Sequence, residues 1–237
     1  MKPLPTADLQ GQVAIVTGST QGLGTDIARQ LLRAGASVTL VGRNRDTGAA
    51  LAEALGERCR FAACDVERDD DIDACIAATL AAFGRLDILV NNACVYDDQG
   101  LLSDRAQWLK TLNVNLVSAA IFVQKAAPHM TGGGTVINIG STGGKFGAAG
   151  RALYPASKAG LLQLTRNLAV SLAPAAIRVI SVSPAWTWSP SVASLSGGDV
   201  AVADRIGATF HPLGRVGRGE EIGQVVAFLC SQGASWI

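Results

Sequence analysis

The sequence predicts an α/β fold: a doubly wound, mostly parallel sheet with helices on both faces. Three observations carry this. Short β-branched runs, apolar almost without interruption, recur at wide and fairly regular intervals, as strands buried on both faces do. Between them lie Ala- and Leu-rich segments with helical spacing, the crossover length that parallel strands require. The 237 residues suffice for one large core, so one domain spanning 1–237 is expected.

The strands read in order as "VAIVTG" (13–18), "SVTLVG" (37–42), "RFAACDV" (60–66), "LDILVNNA" (86–93), "GTVINIGS" (134–141) and "IRVISVSP" (177–184). Leu23, Ile27 and Leu31 mark the apolar face of the first helix, and Leu161, Leu164, Leu168 and Leu172 that of the fifth. The stretch 186–212, "WTWSPSVASLSGGDVAVADRIGATFHP", breaks the alternation with Gly, Ser and aromatics and reads as an irregular binding loop or lid.

Composition narrows the function. Charged residues are 16% of the chain and the apolar set 49%, against about 25% charged in an average domain. The 20 Lys and Arg nearly balance 19 Asp and Glu with no basic block, which argues against nucleic acid and anionic membrane and for a small-molecule partner. Five cysteines (Cys59, Cys64, Cys75, Cys94, Cys230) without a CxxC pair speak against a disulfide framework and against a metal site, and a cytoplasmic location follows. Neither a signal peptide nor a membrane span is expected from the apolar runs.

Gly18, Gly22 and Gly24 in "VTGSTQGLGTDIARQLL" lie between a predicted strand and a predicted helix. Glycine there permits a tight turn and close ligand approach, and a helix N-terminus favours a pyrophosphate. An ordinary strand-to-helix turn reads the same way, but the place after the first strand is the one dinucleotide binding uses. At the end of the second strand an acidic residue bonds the adenosine ribose, whereas an arginine accommodates a 2′-phosphate. "LVGRNRD" puts Arg43 there, followed by Asn44, so NADP(H) is favoured over NAD(H). Asp65, in "CDV", either accepts a bond from the adenine amino group or caps the next helix.

"TGSTQGLG" (17–24), "NNA" (91–93), "INIGS" (137–141) and "YPASK" (154–158) together resemble the short-chain dehydrogenase/reductase family, from about residue 10 onward. The resemblance implies a Rossmann-type sheet of order 3-2-1-4-5-6 followed by a seventh strand. It implies a nicotinamide dinucleotide across the strand ends, contacted by Gly18, Thr20, Gln21, Gly22, Leu23 and Gly24 in the first loop. Arg43, Asn44, Asp65 and Val66 would follow on the adenosine side, Asn92 and Ala93 in the middle, and Pro184, Ala185 and Thr187 near the nicotinamide. No metal is implied. The same resemblance assigns Tyr154 as acid/base, Lys158 as its modulator and ribose ligand, Ser141 as the group that orients the reacting oxygen, and Asn115 as holder of a helix bend and a water.

On a helix over 154–173, Tyr154 and Lys158 share a face, with Cβ atoms about 5–6 Å apart. At about 5 Å and an effective dielectric near 20, an ammonium favours the phenolate by roughly 3 kcal/mol before desolvation opposes it. Singly, each of these residues could be a core tyrosine, a snorkelling lysine or a turn residue; their coincidence at four family positions is what argues for chemistry.

The sequence departs from the family pattern at Cys94 and Ala185, where glycine is usual, and at Ile180, where asparagine is usual. It ends at "FLCSQGASWI", where the family's seventh strand begins, which would leave the sixth strand as a bare apolar edge. That edge and the low charged fraction suggest a homo-oligomer, dimer or tetramer. Trp186, Trp188, Leu195, Phe210 and His211, with Val95, Tyr96 and Phe146, are the expected substrate walls and suit an apolar or aromatic ketone or alcohol, while Lys145 and Arg151 read as solvated loop charges. The leading function is an NADP(H)-dependent ketone reductase/alcohol dehydrogenase. The alternatives are an NAD-dependent dihydrodiol or sugar-alcohol dehydrogenase, and a dinucleotide-binding sensor or scaffold with little turnover.

Overall fold

The computed structural model describes residues 7–237. Its sheet has six strands, β1 (Val13–Val16), β2 (Ser37–Gly42), β3 (Cys59–Ala63), β4 (Ile88–Asn91), β5 (Gly134–Ile139) and β6 (Ile177–Val182). Their order is β3-β2-β1-β4-β5-β6 and every pair is parallel, as the sequence predicts. All strands but β2 stop short of the predicted runs at their carboxyl ends, because residues such as Thr17, Asn92 and Ser141 leave the ladder to form the loops of the site. The register aligns Val16 with Leu40 and Val90, and Ile139 with Val182. These strand ends therefore lie along one edge. The order turns back between β1 and β4, where such sheets open a crevice.

Alternation along β1 shows how the two faces are filled. Ala14 and Val16 join a core with Ile27 and Leu31 of α1 (Gly22–Arg33) and Val226 and Leu229 of α9 (Gly219–Cys230). Ile15 points the other way, as period two demands, into a core with Ile72 and Ile76 of α3 (Asp69–Phe83) and Phe122 of α5 (Ser118–Ala126). The remaining crossovers are α2 (Arg45–Leu55), α4 (Arg105–Leu112) and α6 (Leu153–Leu172). Between α4 and α5 the helix runs through one π-helical turn, Asn113–Val117, the predicted bend at Asn115.

The stretch 186–212 is only partly irregular. It folds into α7 (Pro190–Leu195) and α8 (Val200–Gly207), capped by Ser189 and Asp199 and packed on their own small core of Val192, Ala203 and Val216 with Trp188. Helices of 6 and 8 residues are too short to show a period, and their caps are the same residue types that mark loops. β6 is an edge of the six-stranded sheet. Arg178 on it ties to Thr135 Oγ1 at 2.8 Å and to the Leu229 carbonyl at 2.7 Å. Among the described residues no helix is long and apolar enough to cross a membrane.

Candidate active site

Two adjoining cavities open along the carboxyl edge of the sheet, of about 300 and 470 Å³. They share Leu23, Asn92, Cys94, Tyr96, Ser189 and Ser191.

The smaller cavity is built on the glycine loop. Gly18 and Gly22 have φ of 61° and 55°, which turn the chain from β1 into α1 at little steric cost. A Cβ on Gly18 would lie 2.8 Å from Ala93 Cα, and one on Gly24 would run into the Gly18 carbonyl and lie 2.6 Å from Asn92 Nδ2. Asn92 and Thr17 lace the two strand ends together. The Asn92 amide donates to the carbonyls of Thr17 (2.9 Å) and Gly18 (3.0 Å), while Thr17 Oγ1 accepts from the backbone N–H of Asn92 (2.9 Å) and Ala93 (3.0 Å). Thr17 holds the cradle together and was passed over by sequence reasoning, although it opens the quoted motif. No side chain caps α1 at Gln21, so its first-turn N–H groups remain available to an anion.

The predicted dinucleotide residues Gly18, Thr20, Gln21, Gly22, Leu23 and Gly24 all line this cavity, with Arg43, Asp65, Val66, Asn92 and Ala93 beyond them. Asn44 does not. Its Oδ1 accepts the Thr47 N–H at 2.9 Å and caps α2, so helix capping has claimed the side chain. Asp65 lines the cavity and does not cap α3, whose N-cap is Arg68; its Oδ1 accepts the Glu67 N–H at 3.2 Å. Pro184, Ala185 and Thr187 border the larger cavity. Cys94 borders both, so neither added Cβ closes the trough.

Tyr154, Lys158 and Ser141 meet on the wall of the larger cavity. Ser141 follows the end of β5, and its Oγ accepts the Gly143 N–H at 3.0 Å. Tyr154 is in the first turn of α6, with Lys158 one turn later. Lys158 is 2% exposed; its Nζ donates to the Ile139 carbonyl at 2.7 Å and lies 5.7 Å from the Tyr154 ring centre. Burial holds this ammonium below the usual lysine range. Burial also pushes the Tyr154 phenol up to about 12, with the Cys94 thiol adding to the rise and Ser141, Tyr96 and Arg151 pulling downward. Helical spacing suggested a phenol lowered by its lysine. In this structure desolvation wins, because the ammonium is turned to a strand-end carbonyl.

Asn115 is 2% exposed and grips the loop after β4. Its Oδ1 accepts the Val95 N–H at 2.8 Å, and its Nδ2 donates to the Val95 carbonyl and to Ser157 Oγ, both at 3.0 Å. Ser157 in turn donates to the Tyr154 carbonyl at 2.7 Å. Asn115 thus joins three segments around the start of α6. Asp98 does the same from outside the helix: its carboxylate accepts the N–H groups of Gly100 (2.9 Å), Ala152 (2.9 Å) and Tyr154 (3.0 Å). Burial alone would raise that carboxyl, but these donors outweigh it and hold it below the ordinary range. Nothing in "YDDQG" signalled a cap for a helix more than 50 residues away.

Tyr96 stacks on Tyr154, ring centres 5.0 Å apart and planes inclined by 27°. Phe146, Trp186, Val192 and Leu195 give the larger cavity its apolar walls. Three expected wall residues lie elsewhere. Trp188 packs into the small core under α7, Phe210 sits edge-on behind Trp186 at 4.9 Å, and His211 packs against Phe210. Val95 borders the smaller cavity instead.

The family model described as enoyl-(acyl carrier protein) reductase matches residues 18–237. A cis-4-hydroxycyclohexanecarboxylate dehydrogenase from Sinomonas cyclohexanicum is 35% identical over 232 residues, which cover 95% of this chain and 92% of that one. Among solved structures, a 3-ketoacyl-(acyl-carrier-protein) reductase from Brucella melitensis complexed with NADH has 30% identity and a TM-score of 0.88, covering 97% of this chain and 95% of that chain. An L-sorbose reductase from Gluconobacter frateurii complexed with NADPH and L-sorbose has 27% identity and a TM-score of 0.92, covering 98% and 94%. With its sheet order, glycine loop and tyrosine–lysine pair on the same framework, the chain belongs to the short-chain dehydrogenase/reductase family.

Proposed function

We propose that the chain is an NADP(H)-dependent oxidoreductase that interconverts a secondary alcohol and its ketone, with Tyr154 as the proton-transfer group. The convergence of Tyr154, Ser141 and Lys158 on one cavity wall, next to the cavity of the glycine loop, carries the reading. That loop suits a dinucleotide: its glycines let it pack where a Cβ would collide with Ala93, Asn92 or the loop's own carbonyl, and the N-terminus of α1 is uncapped. Gly18 to Gly24 and the α1 amides would hold the pyrophosphate. Arg43, exposed at the end of β2 where an acidic residue would select NAD, would meet the 2′-phosphate. When bound, the nicotinamide supplies or accepts the hydride.

The chain's own residues handle the oxygen and its proton. Ser141 donates to the substrate oxygen and fixes its orientation. Tyr154, held protonated by burial, passes its proton to that oxygen in reduction and receives it in oxidation. Lys158, on the same wall and bonded to the Ile139 carbonyl, would hold the nicotinamide ribose, and Asn115 and Asp98 hold the start of α6 at the cavity. The walls suit a ring-bearing or otherwise apolar secondary alcohol, the size class of the Sinomonas relative's named substrate. A single domain, a cytoplasmic location and self-association as a dimer or tetramer belong to the same proposal, supported by the low charged fraction.

The test is loss of nicotinamide absorbance with NADPH or NADH and a panel of cyclic and open-chain ketones. Turnover should be faster with NADPH and fall about a thousandfold in Tyr154→Phe with cofactor binding retained. Faster turnover with NADH overturns the assignment of Arg43, and undiminished activity in Tyr154→Phe overturns the role of the tyrosine. Cofactor binding without turnover of any ketone favours the sensor.

A further inference from the structure

We infer that the substrate carries a carboxylate besides its reacting carbon, and that Arg151 recognises it. This rests on the oxidoreductase reading of the same cavity and names the class of molecule it takes. Among the described residues, the side chains lining the larger cavity include two cations, Lys158 and Arg151, and no Asp or Glu. Lys158 is buried and bonded to the Ile139 carbonyl. Arg151 is exposed at the cavity border and, among the described residues, enters no ion pair. Asp98 is brought close to it by its bond to the Ala152 N–H, but that carboxylate is occupied by backbone donors. Lys145, from the same loop, does not border the cavity, which separates two charges that look alike in the sequence.

The apolar walls of the same cavity decide what the charge is for. Phe146, Trp186, Val192 and Leu195 are apolar, so the ligand that satisfies every part has a carbonyl or hydroxyl at Tyr154, an apolar middle and an anion at Arg151. A lone guanidinium fork matches the two oxygens of a carboxylate. A phosphate of higher charge calls for further donors, and among the described residues this border offers no second unengaged cation. The charge of Arg151 already reaches the phenol, which it pulls downward, so a carboxylate there would also be felt at the reacting end. A cavity of about 470 Å³ has room for a six-membered ring bearing both groups. The class is therefore an alicyclic or short aliphatic oxo acid and its hydroxy acid.

The probes are 4-oxocyclohexanecarboxylate and its methyl ester, which share the ring and the ketone and differ in charge. Their kcat/KM values are compared at low and high salt in the wild type, Arg151→Gln and Arg151→Lys. The wild type should prefer the acid by about tenfold, mainly through KM, the worth of one partly solvated charged hydrogen-bond pair. That ratio should shrink with salt, fall to about one in Arg151→Gln and survive in part in Arg151→Lys. A ratio near one in the wild type, or one kept in Arg151→Gln, overturns the inference. Turnover of both probes without preference, lost in Tyr154→Phe, leaves the oxidoreductase reading standing and removes this one. A β-oxoacyl thioester turned over with a higher kcat/KM than the acid also overturns it, in favour of a carrier-linked acyl group. If neither ketone is reduced, titration calorimetry on the NADP-saturated protein decides: acid binding that Arg151→Gln weakens supports the inference, and no binding of the acid refutes it.

Discussion

The proposed dinucleotide side of the trough is made largely of backbone, whereas the proposed substrate side is made of side chains. On the first side, Gly18, Gly22 and Gly24 bring the loop against Ala93 and Asn92, and the Thr17–Asn92 bonds lock β1 to β4. On the second, Phe146 reaches in from the connection after β5 and Trp186 and Leu195 from the stretch after β6, and they remain 70%, 38% and 59% exposed. A cradle of backbone tolerates almost no added volume, while a wall of half-exposed side chains can be re-cut without disturbing the sheet. One cofactor cradle can therefore serve many substrates.

Matched glycine substitutions break this comparison most sharply. Gly24 has ordinary helical geometry, so Ala there adds no backbone strain, but its Cβ collides with the Gly18 carbonyl. Re-laying the loop costs about 3 kcal/mol, on the order of a hundredfold in dinucleotide Kd. Gly147, in the substrate-side loop, has nothing within 4 Å of an added Cβ, and Gly147→Ala should bind dinucleotide as the wild type does. Nucleotide titration by fluorescence of both variants checks the contrast, and equal Kd values would mean that the loop is not the cradle.

The pH dependence tests the reacting end. Burial pushes the Tyr154 phenol up to about 12, so as the proposed acid it is protonated at neutral pH and ready to donate in reduction. Oxidation needs the phenolate, whose fraction grows about tenfold per pH unit below the pKa. Alcohol oxidation should therefore climb steeply from pH 7, levelling at the phenol's pKa in the loaded enzyme, while ketone reduction stays level or falls. A flat oxidation profile would remove Tyr154 as the base.

Asp98→Asn should have a smaller effect. The carboxylate holds the N–H groups of Ala152 and Tyr154 at one end of α6. An amide keeps one acceptor oxygen but loses the charge that suits a helix N-terminus. The expected result is a loss of about 1 kcal/mol in stability and up to tenfold in kcat, with KM for dinucleotide little changed. A loss confined to the melting temperature would make Asp98 a fold residue only.

The same contrast explains what could be read in the sequence. The strands were legible because parallel strands buried on both faces are written as continuous apolar runs, "VAIVTG" and "GTVINIGS" among them. The glycine loop was legible because a backbone requirement leaves a residue-type trace at fixed spacing. Asp98 was not, because its partners are more than 50 residues away and no local rule links them. Asn44 was ambiguous because a cap and a ligand contact ask for the same side chain, and here it caps α2. Phe210 and Trp186 look equally apt as walls in sequence, yet only Trp186 reaches the cavity. The fate of Lys158 was also illegible: helical spacing brings its ammonium near the phenol, but only the fold supplies the Ile139 carbonyl that turns it away.

The Trp186–Phe210 pair gives the smallest effect and bears on whether the substrate side acts through support as well as contact. Phe210 is half exposed, lies outside the cavity lining and meets Trp186 edge-on, with centres 4.9 Å apart and planes at 76°. Such pairs add about 0.5–1.5 kcal/mol beyond burial, and exposure puts this one near the lower end. Phe210→Ala should free the Trp186 ring and raise KM for a ring ketone about threefold. The value of kcat should hold, because Tyr154 stands on α6 and Ser141 just beyond the end of β5, and neither depends on this pair. Phe210→Tyr keeps the ring and should restore KM. A fall in kcat with KM unchanged would show that the lid helices govern the chemical step or product release, and that the two sides of the trough are coupled through α7 at the contact of Pro190 with Gly22.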